Sequence, residues 1–220
     1  MTGPGARGSG DSFGRALWEE AVCTLPVCLG GDRHMALRFD AGRVCLDLLA
    51  TSHPGERLDS VGALCAWIEE VGLVPAGTGL AHADESWIVQ FREVRESVGR
   101  LVRHGGGSVS YGRALGRINE VALGAPPAPR AVRHDDGRLV RELAAPPGPA
   151  ALLALLARDA VELLTDPVAR AALRECEGDN CPLLYLDTSR GRRRRWCSSE
   201  ACGNRERVAR HRRRAALTRA

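Results

Sequence analysis

Cys176-Glu-Gly-Asp-Asn-Cys181 and Cys197-Ser-Ser-Glu-Ala-Cys202 decide how this chain is read. Each stretch encloses four residues between two cysteines, and fifteen residues separate the two pairs. A tetrahedral zinc ion takes four thiolates, and two short loops that each present two of them meet that demand at little backbone cost. In the first loop Gly178 and Asn180 tolerate left-handed backbone angles. The second loop runs into Gly203-Asn204-Arg205 and a helix-compatible stretch, which puts Cys202 near a helix N-terminus, where the macrodipole favours a thiolate. From Cys176 to the end the clear apolar side chains are few: Leu183, Leu184, Tyr185, Leu186, Trp196, Val208 and Leu217. A unit with so little core needs a staple, and structural zinc in small fingers contributes roughly 10–16 kcal/mol of apparent binding energy. The expectation is one structural Zn2+ held by Cys176, Cys181, Cys197 and Cys202, with disulfides as the rival pairing.

Charge is divided unevenly along the 220 residues. Residues 176–220 carry twelve arginines against five acidic side chains, a net of +7, whereas residues 1–175 carry 19 against 22, a net of −3. The chain contains no lysine, so arginine at any one position is weak evidence of phosphate recognition, and only its local density informs. The basic partner surface is therefore expected at the C-terminal end. Met1 to Gly10 is glycine-rich and unlike a signal peptide, and no apolar run approaches the roughly 18 residues of a membrane span. A reducing cytoplasm is the expected compartment, which favours metal over disulfide.

Ahead of the cysteine-rich segment the pattern is mainly α with a minor β component, an α+β chain. Residues 1–33 read as a weakly structured extension, in which Cys23 and Cys28 repeat the four-residue spacing by coincidence. Ala36–Asp40 and Arg43–Leu49 suggest two short extended segments or a strand leading into a helix. Val61, Leu64, Trp67, Ile68 and Val71 recur at helical spacing before Gly72. A longer helix spans Asp84 to Arg103, with Trp87, Ile88, Phe91, Val94, Val98 and Leu101 on one face. A third follows through Tyr111, Leu115, Ile118 and Val121. Residues 131–133 and 139–143 flank Asp135-Asp136-Gly137 as a hairpin. Residues 150–165 form an apolar helix, and Asp166-Pro167 starts a short one that delivers Cys176. The domains are expected at 34–172, helical, and 173–220, a small finger module with a basic C-terminal helix.

The residues around the second cysteine pair carry a resemblance. Asp187-Thr188-Ser189, Arg195-Trp196-Cys197-Ser198 and Cys202-Gly203-Asn204-Arg205 resemble, in order, the CGNR zinc finger. Upstream, Cys45-Leu46-Asp47-Leu48-Leu49-Ala50-Thr51 is similar to the opening of the ABATE domain that usually precedes that finger, with Leu49-Ala50 in place of the usual Val-Asn. Leu183-Leu184 stands where an aromatic residue is common. The resemblance implies a bacterial, stress-linked transcription regulator whose finger binds nucleic acid.

Helical spacing after Cys202 places Arg207, Arg210 and Arg214 on one stripe and Arg205 on its neighbour, with Val208 toward the module's core. Arg192, Arg193, Arg194 and Arg195 form a basic loop opposite. Together they are the expected nucleic-acid contacts, to DNA before RNA, with steep salt dependence. Trp196 is expected to cover the metal site, Gly203 to let the backbone approach it, and Asn204 to cap the helix or bond a thiolate. A homodimer through the helical domain would supply a second half-site. Two other readings stay open: a thiol redox switch that ejects zinc on oxidation, and an effector sensor with a pocket near Asp47 or Trp67. No nucleophile elbow, His-Glu metal motif or phosphate loop is present, so no enzymatic activity is expected.

Overall fold

Seven helices and two small antiparallel hairpins follow one another in the computed structural model, which describes residues 41–103 and 106–217. The expectations for residues 1–33, for Cys23 and Cys28, and for an extended segment at 36–40 lie outside those residues. Of the two alternatives for Arg43–Leu49 the helical one holds, as α1, Val44–Ala50. Its apolar run Cys45, Leu46, Leu48 and Leu49 is buried on nearly all sides, and alternation cannot be told from helix in so short a run.

Helix α2, Val61–Glu70, starts where the Ser60 hydroxyl accepts the Ala63 N–H and stops at Gly72, whose φ of +72° only glycine adopts freely. It buries Leu64, Trp67 and Ile68. Helix α3, Glu85–Arg103, lays Trp87, Ile88, Phe91, Val94, Val98 and Leu101 against the core. Helix α4, Val109–Ala122, is capped by Ser108 and packs on α3 and on α5, Pro149–Thr165. Helix α5 has leucine or alanine at every buried position from Leu152 to Leu163. Between α4 and α5 the hairpin of β1, Pro129–Arg133, and β2, Leu139–Leu143, turns at Gly137 with φ +84°, as the Asp-Gly signal predicts. Asp166 caps α6, Pro167–Ala172, by accepting the Val168 N–H at 2.8 Å.

The expected direct run from α6 to Cys176 is interrupted by a short strand. Helix α6 ends at Ala172, and a three-residue strand β3, Leu173–Glu175, carries the chain to Cys176, paired with β4, Leu184–Leu186. Leu184, Tyr185 and Leu186 are all buried, and β4 packs on α1. The Leu186 N–H donates to Ala41 O and the Asp187 N–H to Ala172 O, both at 2.8 Å. A Cβ on Gly42 would stand 3.2 Å from Leu186 Cβ, so its glycine permits this close seam as well as its φ of +83°. The cysteine-rich segment thus has little core of its own because its apolar side chains complete the core of the helical domain.

Candidate metal centre and nucleic-acid face

Strand β3 and the loop after it bring Cys176 and Cys181 to one side, and a π-helical turn at Ser199–Gly203 brings Cys202 back to Cys197. The turn begins where the Ser198 hydroxyl accepts the Ala201 N–H and passes directly into α7, Asn204–Leu217. The four Sγ atoms lie within 4.8 Å of one another, with Cys181 to Cys197 and Cys197 to Cys202 both 3.7 Å apart. Four sulfurs about 2.3 Å from a shared zinc ion stand about 3.8 Å apart along each tetrahedral edge, whereas a disulfide needs about 2 Å. All four are free thiols at metal-binding separation, so the geometry answers the disulfide rival.

The chemistry of the donor set points the same way. Cys176 Sγ accepts the N–H of Cys197 at 3.3 Å and of Gly178 at 3.4 Å. Burial pushes the Cys176 thiol up, but these donors and the neighbouring thiols outweigh it and hold the pKa below the ordinary thiol value. Burial, reinforced by the charge of Cys176 and Cys181, pushes Cys197 far up, and burial first of all raises Cys202 to about 11. As bare thiols Cys197 and Cys202 therefore stay protonated near neutral pH; a divalent cation would supply the positive charge that lets them ionise. Cys202 stands two residues before the start of α7, at the helix terminus expected.

Asn180 adopts the left-handed conformation expected, with φ 57°. Gly178 does not. Its role is room, because a Cβ there would meet Cys202 Cβ at 3.1 Å and Cys202 Sγ at 3.3 Å. A Cβ on Gly203 would face the Trp196 ring at 3.4 Å, so the glycine expected to approach the metal makes space for the indole.

The loop from Asp187 to Arg195 is organised by one buried carboxylate. Asp187 Oδ1 accepts the Ser189 N–H and hydroxyl at 3.0 and 2.5 Å, and Oδ2 accepts the Arg194 N–H at 3.0 Å. The Ser189 hydroxyl, with these two N–H groups, holds the Asp187 pKa below the usual carboxylate range against the opposing effect of burial. Arg194 then folds inward. Its guanidinium lies 4.5 Å from the Tyr185 ring centroid and donates to Trp196 O at 2.8 Å and to Cys197 O. The Tyr185 hydroxyl donates to Arg194 O at 2.6 Å, and burial, more than the nearby acidic groups, raises its pKa to about 12.

Residues 42–167, more than half of the chain, match the ABATE family profile, described as "Putative stress-induced transcription regulator", and residues 172–215 match the CGNR zinc finger. The chain belongs to the ABATE family and carries a CGNR finger. No curated protein matches it.

Within the CGNR finger the arginines divide by what they touch. Arg194 holds the second cysteine loop, and Arg195 stacks 5.3 Å over Trp196 while pairing with Glu177 at 2.5 Å. Arg207 donates to Gly203 O and Ser199 O, closing the π-helical turn onto α7. Arg192, Arg193, Arg205 and Arg210 are exposed and form no salt bridge among the described residues, and Arg214 is exposed as well. Arg213 pairs with Glu206 at 3.8 Å. Val208, expected to face a core, is half exposed, because the finger's buried surface is made by β4 and α7 stays outside it. Asn204 is exposed at the first position of α7; its backbone N–H donates to Ala201 O, but its side chain makes no hydrogen bond among the described residues, so neither expected role is seen.

The ABATE domain places the two expected effector residues in its fabric. Asp47 accepts the Ala41 N–H at 3.2 Å, fixing the residue that receives Leu186. Trp67 is fully buried, edge-on to Phe91 with centroids 6.1 Å apart. The motif's last residue, Thr51, has a role the sequence did not announce. Its hydroxyl donates to Leu48 O and accepts from buried Arg95, whose guanidinium also grips both Glu56 oxygens. Only the fold brings residues 51, 56 and 95 together, so no sequence spacing could have signalled that triad.

Proposed function

We propose that this chain is a DNA-binding transcriptional regulator that reads its target through the CGNR finger, with one structural zinc ion on Cys176, Cys181, Cys197 and Cys202. The observation that supports this reading most is the division of labour among the arginines. Arg194, Arg195 and Arg207 build the finger, while Arg192, Arg193, Arg205 and Arg210 stand exposed without salt bridges among the described residues. A folded scaffold that uses acidic residues to organise its loops and leaves these four guanidinium groups without a salt bridge among the described residues suits a polyanion. Zinc supplies a cross-link between the two cysteine loops; the residues around it fix where the basic loop and α7 stand. Arg192 and Arg193 on the loop and Arg205 and Arg210 on α7 are the assigned phosphate contacts, and a second copy of the chain would present a second half-site.

Fluorescence anisotropy of the full, zinc-loaded chain with duplex DNA and with RNA of equal length, over a salt series, tests this. Tight, salt-sensitive binding to the duplex that weakens on chelation is expected. Arg210→Gln should lower the slope of log affinity against log salt by about 1, whatever the sequence of the duplex. Absence of binding at low salt to either nucleic acid would overturn the reading.

A further inference from the structure

Beyond the finger, the ABATE domain holds a cleft of about 330 Å3 where α3 passes the end of α1. Arg95, Arg100 and Arg103 line it together with Glu96. Their charges are not equally committed. Arg95 is neutralised by Glu56 and held by Thr51. Arg100 has one salt bridge, to Glu96 at 3.8 Å, with both side chains more than half exposed at 53% and 69%, a pairing worth little in water. Arg103 donates to Pro182 O at 3.3 Å, next to the metal-site residue Cys181. A neighbouring cleft between α3 and α4 differs in kind, because there Arg117 is matched by Glu93 at 3.3 Å and by Glu120.

Two further residues shape the cleft. Gly99 sits inside α3, where glycine costs about 1 kcal/mol relative to alanine. A Cβ there would stand 3.1 Å from Arg103 Nη1 and 3.5 Å from Leu49 Cδ2, so the glycine lets Arg103 fold back along its own helix. Ser52 donates its hydroxyl proton to Leu49 O at 2.9 Å and so offers the cleft an acceptor.

We propose that this cleft is a binding site for a small hydroxylated anion, a phosphomonoester or carboxylate, whose oxyanion is held by Arg100 and Arg103. Arginine presents planar donor pairs that match the oxygens of phosphate or carboxylate, and Ser52 accepts from a ligand hydroxyl. Glu96 loses its weak bond to Arg100 and turns to solvent. Occupancy also draws on the Arg103 guanidinium that holds Pro182 O, so the ligand competes with a bond to the first cysteine loop. The cleft thereby becomes the input of a sensor whose output is the finger; that link rests on the nucleic-acid reading, whereas binding itself does not.

Calorimetric titration of the full, zinc-loaded chain with sn-glycerol 3-phosphate and with inorganic phosphate, at constant ionic strength, tests the site. Saturable one-to-one binding is expected, weakened about tenfold or more in Arg100→Gln and Arg103→Gln, the effect of losing a charge-assisted hydrogen bond. Gly99→Ala should weaken binding while leaving the helical circular-dichroism signal intact, and Arg141→Gln, on the remote β-hairpin, should bind as the parent does. Equal affinity in the Arg100 and Arg103 variants, or no saturation at millimolar ligand, would overturn the proposal. So would a result in which those variants weaken only duplex binding, since the two arginines would then belong to the grip on the nucleic-acid backbone. If the chain binds no nucleic acid, the calorimetry still decides the cleft.

Discussion

The ABATE domain and the CGNR finger solve the same problem with different chemistry. The first buries leucine, valine and aromatic side chains between helices until Trp67, Phe91, Val98 and Leu156 lose all contact with water. The second has four sulfurs, a carboxylate that gathers loop N–H groups, and guanidinium groups that close turns, and its apolar residues complete the other region's core. Apolar packing is spread over many contacts and tolerates the loss of one. A metal knuckle concentrates its stability in a few atoms, so it fails at single positions.

The largest expected effect follows from that concentration. Cys202→Ser should abolish stoichiometric zinc retention, removing an interaction on the scale of roughly 10 kcal/mol, while the helical circular-dichroism signal largely persists. Zinc content by atomic emission, read beside far-ultraviolet dichroism, checks both halves. Collapse of the helices together with metal loss would show that the contrast between the regions is false. The counterpart in the ABATE domain is Trp67→Ala, which should cost about 3–5 kcal/mol in urea denaturation and leave the metal bound in every folded molecule.

Two glycines sharpen the comparison at smaller scale. Gly178→Ala forces a Cβ against Cys202 and should destabilise the metal-loaded finger by about 1–3 kcal/mol, seen as faster zinc loss to a chelator. Gly116→Ala on α4 meets nothing within 4 Å and should stabilise the helices by about 0.5–1 kcal/mol. The same change of atoms should thus act with opposite sign in the two regions.

Acid provides the most local probe. The bidentate Arg95 contact, above all, lowers the Glu56 pKa to about 2, with the Leu58 N–H and Arg92 assisting and burial opposing. Its folded value lies below the unfolded one of about 4.5, so the stabilisation is complete above about pH 5 and is lost as pH falls from there toward 2. Melting temperatures from pH 6 to 3 should fall more for the parent chain than for Glu56→Gln. Parallel curves would remove Glu56 from the account.

Helices α2, α4 and α6 carry their own punctuation in the sequence, Ser60, Ser108 and Asp166 at their starts and Gly72 after α2, whereas α1 has no side-chain cap and was left between strand and helix. The four ligands were legible from spacing alone. What stayed hidden depends on residues far apart in the chain. Strand β4 is three residues long, and its partner surface, α1, lies more than 130 residues earlier. The uneven roles of Arg192 to Arg195 were hidden for another reason. In a chain without lysine, a structural arginine such as Arg194 looks the same as one that meets solvent.

The two backbone bonds across the seam also bear on how the molecule opens. The amide hydrogens of Leu186 and Asp187 reach Ala41 O and Ala172 O, so they exchange with solvent deuterium only when β4 parts from the helices. The family boundary between residues 167 and 172 therefore marks no line of independent breathing. Deuterium uptake at those two amides follows both regions at once.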